Sequence, residues 1–252
     1  MLRFFFIFII LINLISSTLI AGTINIAVAA NVSYAINDLK KEFNTLYPNT
    51  KIQTTLGSSG KLTAQIFHGA PYQLFMSANM LYPNTLYAKH LAITKPVVYA
   101  KGSLAYFSIK KQDFSLGIKL LKKPNIKKIA IANPKTAPYG KATFEALNNA
   151  NIYDDIKHKF IYAESISQTV SYSVIAADIG IIAKSSLYSK QMLKYKEGVN
   201  WLSVDTKLYR PISQGLVILK KGKHNKEVKS FYNFLQSYKA KKIFSTYGYQ
   251  VN

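Results

Sequence analysis

The stretch TINIAVAANVSYAINDLKKEFNTLY, residues 23–47, decides the fold class of this 252-residue chain. Residues 23–29 are a short apolar run that predicts a buried β-strand, and residues 32–47 carry apolar side chains at helical spacing on one face. A second strand is predicted over residues 51–56, and a helix over residues 61–67 follows it. Strands that alternate with helices are typical of a parallel α/β sheet and not of a sandwich or a helical bundle.

The same alternation continues along the chain. Further strands are predicted over residues 74–77, 104–109, 128–132, 160–163, 179–183 and 216–219, and helices over 141–149, 167–176 and 226–245. The pattern restarts in the middle without a low-complexity linker, so we expect two α/β lobes, with the chain crossing between them near residues 99–102 and 209–213. Lobe 1 is predicted to hold residues 23–99 and 212–252, and lobe 2 residues 100–211.

The first 22 residues have the outline of a secretory signal. Arg3 is followed by an apolar run over residues 4–12 and by small polar residues at 16–18. The run is shorter than the ~20 residues that span a bilayer. We therefore predict a signal peptide over residues 1–22 and a periplasmic location. A retained anchor is the alternative, because no clean A-x-A cleavage site precedes Gly22.

The charge of the chain is strongly positive, with a formal net value of +22 at pH 7. Arg3 and Arg210 are the only arginines among 33 cationic residues. Proteins that read nucleic acid use arginine for bidentate contacts, so we interpret the lysines as a solvated coat and expect no nucleic-acid partner. The alternative is a surface-associated basic protein that binds nucleic acid or anionic lipid, and its binding would depend steeply on salt.

Several classes of chemistry are excluded or disfavoured by composition. The chain has no cysteine, which excludes disulfides, thiolate zinc sites, iron–sulfur clusters and a cysteine nucleophile. The four histidines, His68, His90, His158 and His224, have no metal-ligand spacing, and no resident metal or cofactor is predicted. We predict a binding protein and not an enzyme. A hydrolase or transferase on a similar fold is the alternative, but it would need a base beside its nucleophile.

Three junctions between a strand and a helix carry neutral hydroxyl and amide side chains. They are AANVS at residues 29–33, GSSGK at 57–61 and NPKTAPYG at 133–140. Helix N-termini bind anions through free N–H groups and the helix dipole. The second junction departs from the phosphate-loop spacing at Thr55 and Leu62, so nucleotide binding is not predicted. Because ligands bind beyond the carboxyl ends of the strands in open α/β sheets, these loops are expected to converge on one anion.

Six motifs resemble the molybdate-binding periplasmic protein family, in the expected order over nearly all of residues 24–250. They are VAAN at 28–31, GSSGKL at 57–62, GAP at 69–71, ANP at 132–134, APYG at 137–140 and IFSTYGY at 243–249. The resemblance implies the solute receptor of a molybdate ABC importer, with a membrane permease as partner. The implied fold is a two-lobed type II periplasmic binding protein, each lobe a mainly parallel sheet flanked by helices. A monomer is expected.

The resemblance also implies the residues that hold the oxyanion. Carried over position by position, they are Asn31 with the Ala30 backbone, Ser59 with the adjacent Ser58, and the backbone amides of Tyr139 and Ile166. Asn31 stands where one branch of the family has serine, and Ala183 stands where that branch has a tyrosine. The branch that carries asparagine also lacks this tyrosine, so the two departures agree. They bear on selectivity more than on the class of ligand.

Neutral donors suit a tetrahedral dianion, which offers only acceptors. A monoprotonated phosphate would bring a hydroxyl without an acceptor, and sulfate is smaller than molybdate. Molybdate, the ligand that the resemblance implies, fits this chemistry, and tungstate, nearly equal in size, should also bind. A receptor selective for tungstate or sulfate is the alternative. Lys61 is expected to be solvated, and tyrosines such as Tyr238, Tyr247 and Tyr249 are expected to pack.

Overall fold

The structure, a computed structural model, describes residues 22–251 and contains two five-stranded sheets. The strands of the first sheet are β1 (Thr23–Ala29), β2 (Lys51–Gly57), β3 (Leu74–Met76), β4 (Val97–Gly102) and β10 (Ile212–Ile218). Those of the second sheet are β5 (Leu104–Phe107), β6 (Ile129–Ala132), β7 (Phe160–Ala163), β8 (Ile179–Ala183) and β9 (Trp201–Ser203). The spatial orders are β2-β1-β3-β10-β4 and β7-β6-β8-β5-β9.

One strand in each sheet runs against the other four. In the first sheet β10 is antiparallel to both β3 and β4, and in the second sheet β5 is antiparallel to both β8 and β9. The remaining pairs are parallel. The chain passes between the sheets twice, at Ser103 and over residues 204–211. The predicted fold class, two mainly parallel sheets with two crossings, is confirmed.

Eight α-helices flank the sheets within the described residues. They are α1 (Ile36–Leu46), α2 (Ser59–Phe67), α3 (Leu81–Ala88), α4 (Pro138–Asn149), α5 (Tyr153–Ile156), α6 (Ile166–Ile175), α7 (Lys226–Phe234) and α8 (Tyr238–Thr246). Short 3-10 turns over Ala30–Tyr34 and Lys184–Tyr188 directly follow β1 and β8. Among residues 22–251, no helix is long and apolar enough to cross a membrane.

Alternation along β1 explains how the first sheet is covered on both faces. Ile24, Ile26 and Val28 point to one face, where they pack in a cluster with apolar residues of α1, α7 and α8. Ala27 points to the other face and packs with residues of α2 and α3. A strand segment buried on both faces must be apolar throughout, which is why residues 26–29 form a continuous apolar run. The polar residues Thr23 and Asn25 lie in the less buried first half of the strand.

Among the predicted boundaries and elements that differ from the structure, three bear on the site or on the path of the chain. The helix predicted from residue 61 begins at Ser59, and the one predicted from residue 141 begins at Pro138. Proline at the first helical position is preorganised for a helix, so the start at Pro138 has a physical reason. Residues 99–102, predicted as a crossing, belong to β4 and pair with β10. The helical region predicted over 226–245 consists of two helices, α7 and α8.

Two predictions about the chain ends and lobes are not settled by these elements. Residues 1–21 of the predicted signal peptide lie outside the described residues. The lobe limits at 99/100 and 211/212 stay a prediction, and β4 continues across position 100 to Gly102.

Candidate functional site

The junctions identified in the sequence lie at the carboxyl ends of neighbouring strands. β1 and β2 end side by side, since Ala29 is paired with Gly57. β6 and β7 end in the same way in the other sheet, since Ala132 is paired with Ala163. The two sets of junctions meet: the Gly60 amide, at the start of α2, donates to the carbonyl of Thr136 at 2.9 Å.

Buried side chains, three of them alanines, pack against each other where the two sets of junctions meet. Ala30 and Ala78, from the side of the first sheet, belong to one core cluster with Ala137, Tyr139 and Ile166 from the side of the second. All five are at least 95% buried. The strand ends of the two sheets therefore enclose a region that is largely closed to solvent.

At Gly60 the two sides approach each other too closely for a side chain. A Cβ atom at this position would lie 2.9 Å from the Thr136 carbonyl oxygen and 2.8 Å from the Tyr82 hydroxyl. Real Cβ contacts are longer than this, so any side chain would push α2 away from the junction before α4.

The six predicted ligand residues are all buried at these junctions. They are Ala30, Asn31, Ser58, Ser59, Tyr139 and Ile166. Ser59 and Ile166 are the first residues of α2 and α6, and Tyr139 is the second residue of α4. Backbone N–H groups at these positions have no acceptor within their own helix. The side of three helices that favours an anion therefore faces the buried region where the sheets meet.

Buried polar atoms without a hydrogen-bond partner mark the same place. Within the described part of the chain they are Asn31 Oδ1, Ser58 Oγ, Thr136 Oγ1 and Thr143 Oγ1. The first three lie on three of the junctions, and the fourth lies inside α4. A buried polar group without a partner costs about 1–3 kcal/mol, so a cluster of them indicates a site for a polar ligand. Thr136 was not among the predicted site residues.

Ser59 is oriented as a donor. Its Oγ accepts a hydrogen bond from the Ala78 amide at 2.9 Å, so its hydroxyl hydrogen remains free to donate. Its hydrogen-bond partners in residues 22–251 include neither a histidine nor a carboxylate. In the same residues, no group of three or more His, Asp or Glu side chains could hold a metal ion.

The Asn31 side chain is held by two partners that the sequence reading missed. Its Nδ2 donates to Gln214 Oε1 at 2.9 Å and to the Tyr249 hydroxyl at 3.0 Å. Its backbone carbonyl accepts from the Tyr249 hydroxyl at 2.8 Å and from Ser185 Oγ at 3.3 Å. Both amide hydrogens of Asn31 are thus committed within the protein, and the partnerless edge of the amide is its oxygen.

Gln214 is the centre of this buried network. Its Oε1 also accepts from the Tyr99 hydroxyl at 2.7 Å, and its Nε2 donates to the Tyr139 hydroxyl at 3.2 Å. Burial raises the pKa of Tyr99 and Tyr139 well above 10 and that of Tyr249 to about 12. All three are neutral hydroxyls at neutral pH and can either donate or accept.

The predictions that Tyr249 and Tyr238 pack have different outcomes. Tyr249 packs in the core as expected, and its hydroxyl also forms hydrogen bonds with Asn31. Tyr238 does not pack, because it is 80% exposed. The sequence signal for Gln214 was a single amide inside the mainly apolar and buried strand ISQGLVI, since a buried polar side chain needs hydrogen-bond partners.

Lys61 lies outside the buried region, on the rim. Its Nζ forms an ion pair with Glu164 Oε1 at 2.5 Å, and the two side chains are 53% and 58% exposed. The pair joins α2 to the junction that precedes α6. An exposed pair of this kind contributes at most about 1 kcal/mol.

Comparison with known proteins places this architecture in a family. The family described as bacterial extracellular solute-binding protein matches residues 24–250. The chain belongs to this family. A molybdate-binding protein ModA of Azotobacter vinelandii is 32% identical over 231 residues, 91% of this chain and 90% of the relative. One from Rhodobacter capsulatus is 31% identical over 91% of this chain and 88% of the relative.

A solved structure agrees in fold over the same region. The periplasmic molybdate-binding protein of Azotobacter vinelandii superposes with a TM-score of 0.84 at 27% identity, covering 91% of this chain and 99% of that one. The two-lobed architecture of a solute-binding protein is therefore shared over almost the whole described chain.

Proposed function

We propose that this protein is an exported receptor that binds molybdate between its two lobes and delivers it to the membrane permease of an ABC importer. The observation that carries the proposal is the group of buried, partnerless polar atoms at Asn31, Ser58 and Thr136, where helix N-termini from both sheets meet. Relatives that are 31–32% identical over nine-tenths of the chain are named for molybdate binding, which supports the same ligand here.

The chemistry of the region fits a small dianion held by neutral donors. Helix N-termini and hydroxyl groups supply hydrogen bonds to an oxyanion without a neutralising cation. Lys61, the cation of the second junction, is paired with Glu164 on the exposed rim. Binding therefore rests on directed hydrogen bonds, which are stronger toward a charged acceptor.

The proposed ligands are the six residues carried over from the family resemblance. They are Asn31 and Ser59 through their side chains, Ser58 and Ala30 beside them, and Tyr139 and Ile166 through backbone amides. Donors spaced for molybdate would sit too far from sulfate, and a protonated phosphate would leave a hydroxyl unpaired. Tungstate, which is nearly the same size as molybdate, should bind as well.

The proposal extends to the organisation and location of the chain. Residues 23–99 with 212–252 form lobe 1 and residues 100–211 form lobe 2, and the anion bridges them and favours their closure. The protein acts as a monomer in the periplasm after removal of its signal peptide, and it binds its ligand without turnover. A nucleophilic Ser59 would need a neighbouring base.

Calorimetry of the purified protein against molybdate, tungstate, sulfate and phosphate tests the proposal. Molybdate at 100 times its dissociation constant should raise the free energy of unfolding by about 2.7 kcal/mol, because it binds only the native state. The midpoint of thermal unfolding, measured with each of the same four anions, is an independent test of which anion binds the native state. Binding of sulfate or phosphate, with none of molybdate or tungstate, would refute the proposed ligand.

A further inference from the structure

We infer that Gln214 is a positioning residue whose side-chain amide rotates together with that of Asn31, so that the Asn31 NH₂ group faces the bound oxyanion. The inference rests on the proposed function. It starts from a conflict in the buried network: both Nδ2 hydrogens of Asn31 are donated to Gln214 and Tyr249, and the edge without a partner is Oδ1. An anion at the junction would meet this carbonyl oxygen, and two acceptors repel each other.

Rotation of Asn31 alone does not remove the conflict. It would place Asn31 Oδ1 where Nδ2 now lies, 2.9 Å from Gln214 Oε1, and two buried carbonyl oxygens would face each other. Rotation of Gln214 by half a turn replaces that oxygen with Nε2, which can donate to Asn31 Oδ1. The orientation of the Asn31 amide is therefore tied to that of Gln214.

The surrounding hydroxyls can follow the paired rotation without losing their partners. Tyr99, which already lies 3.3 Å from the Ser77 carbonyl, would donate there and accept from Gln214 Nε2. Tyr139 would donate to Gln214 Oε1 across the present 3.2 Å, and Tyr249 would donate to Asn31 Oδ1 across 3.0 Å. The Asn31 carbonyl keeps Ser185 as its donor. The rotated network leaves the two Asn31 N–H groups free for the anion.

Gln214 suits this role because none of its hydrogen-bond partners in residues 22–251 carries a charge that would fix one orientation. The titratable groups that face it are Tyr99 from β4, Tyr139 from α4 and, through Asn31, Tyr249 from the segment after α8. These phenols are neutral below pH 9, because burial raises the pKa of each. Nothing that faces Gln214 in the network titrates between pH 5.5 and 8.

Two substitutions of Gln214 test the inference through molybdate affinity measured between pH 5.5 and 8. Gln214→Leu removes the group that orients Asn31 and should weaken binding about 3- to 10-fold at every pH, relative to wild type. Gln214→Glu, when ionised, can only accept, so it holds Asn31 Oδ1 toward the anion and adds a negative charge. Binding should be weaker than in Gln214→Leu at pH 8 and should recover as the pH falls, because a protonated carboxyl can donate.

Gln236→Glu is the matched control. Gln236 lies after α7 and donates to the Tyr232 carbonyl, and it has no hydrogen bond to Asn31. The molybdate affinity of Gln236→Glu should therefore equal that of wild type at every pH. Circular dichroism verifies that each variant is folded, and Gln214→Leu carries the test if Gln214→Glu does not fold. A folded Gln214→Leu with wild-type affinity would overturn the inference, as would a Gln214→Glu that is ionised at pH 8 and still binds molybdate as tightly as at pH 5.5. Failure of the wild-type protein to bind molybdate would instead overturn the proposed function.

Discussion

A single added methyl group at Gly60 should separate lobe closure from lobe folding. The Gly60 amide donates to the Thr136 carbonyl across the junction, and an alanine Cβ would lie 2.9 Å from that oxygen. In Gly60→Ala the two sides can avoid the contact only by moving apart. We expect the variant to fold normally and to bind molybdate weakly.

The magnitude follows from the two effects of the methyl group. Overpacking costs about 1–3 kcal/mol, and loss of the hydrogen bond between the two sides costs about 0.5–1.5 kcal/mol. If both penalties apply only to the closed arrangement, they sum to about 1.5–4.5 kcal/mol, and the affinity for molybdate should fall about 10- to 1,600-fold, at 1.4 kcal/mol per factor of ten. The helix itself should gain about 0.5–1 kcal/mol, because alanine is a better helix former than glycine.

Two measurements separate the loss of affinity from the change in helix stability. Calorimetry measures the affinity for molybdate, and thermal unfolding without added ligand measures the stability of the protein. The affinity should fall in Gly60→Ala, whereas the unfolding midpoint of the protein without molybdate should stay the same or rise. Gln65→Ala is the control on the same helix, since Gln65 contacts Tyr72 within the first sheet's own layer. An affinity for molybdate in Gly60→Ala equal to that of wild type would refute the requirement for close approach at this position.

Three further predictions concern the site and its rim. Asn31→Ala and Ser59→Ala each remove a hydrogen bond to a charged ligand and should weaken molybdate binding about 10- to 150-fold by calorimetry; unchanged affinity in both would contradict the assignment. Lys61→Ala should change the affinity less than 5-fold, because its ion pair is exposed and contributes at most about 1 kcal/mol, and a complete loss of binding would favour a basic surface as the site. Tyr249 has its pKa raised from 10 to about 12 by burial, so its contribution to stability is complete below pH 10 and lost as the pH rises toward 12. Urea unfolding midpoints that stayed constant from pH 9 to 12 would contradict this.

The pattern of apolar residues was sufficient for most of the fold. β1, β7 and β8 coincide with their predicted ranges. For β8, whose five residues are all buried, the reason is that a strand buried on both faces must be apolar throughout. β4 and β9 were missed. β4 is only partly buried and contains Lys101, and β9 has three residues, so neither carries enough apolar signal to be distinguished from a loop.

The sequence by itself determined the class of the site, and the tertiary structure decided how that site is held. Hydroxyl and amide residues at the starts of helices can be read from the chain, because a helix N-terminus favours an anion wherever it occurs. The partners of Asn31 cannot be read in this way, since Gln214 and Tyr249 lie 183 and 218 residues away along the chain. Only the folding of β10 and the C-terminal segment against β1 brings their hydrogen-bonding groups within 3 Å, and that geometry fixes which edge of the Asn31 amide is free.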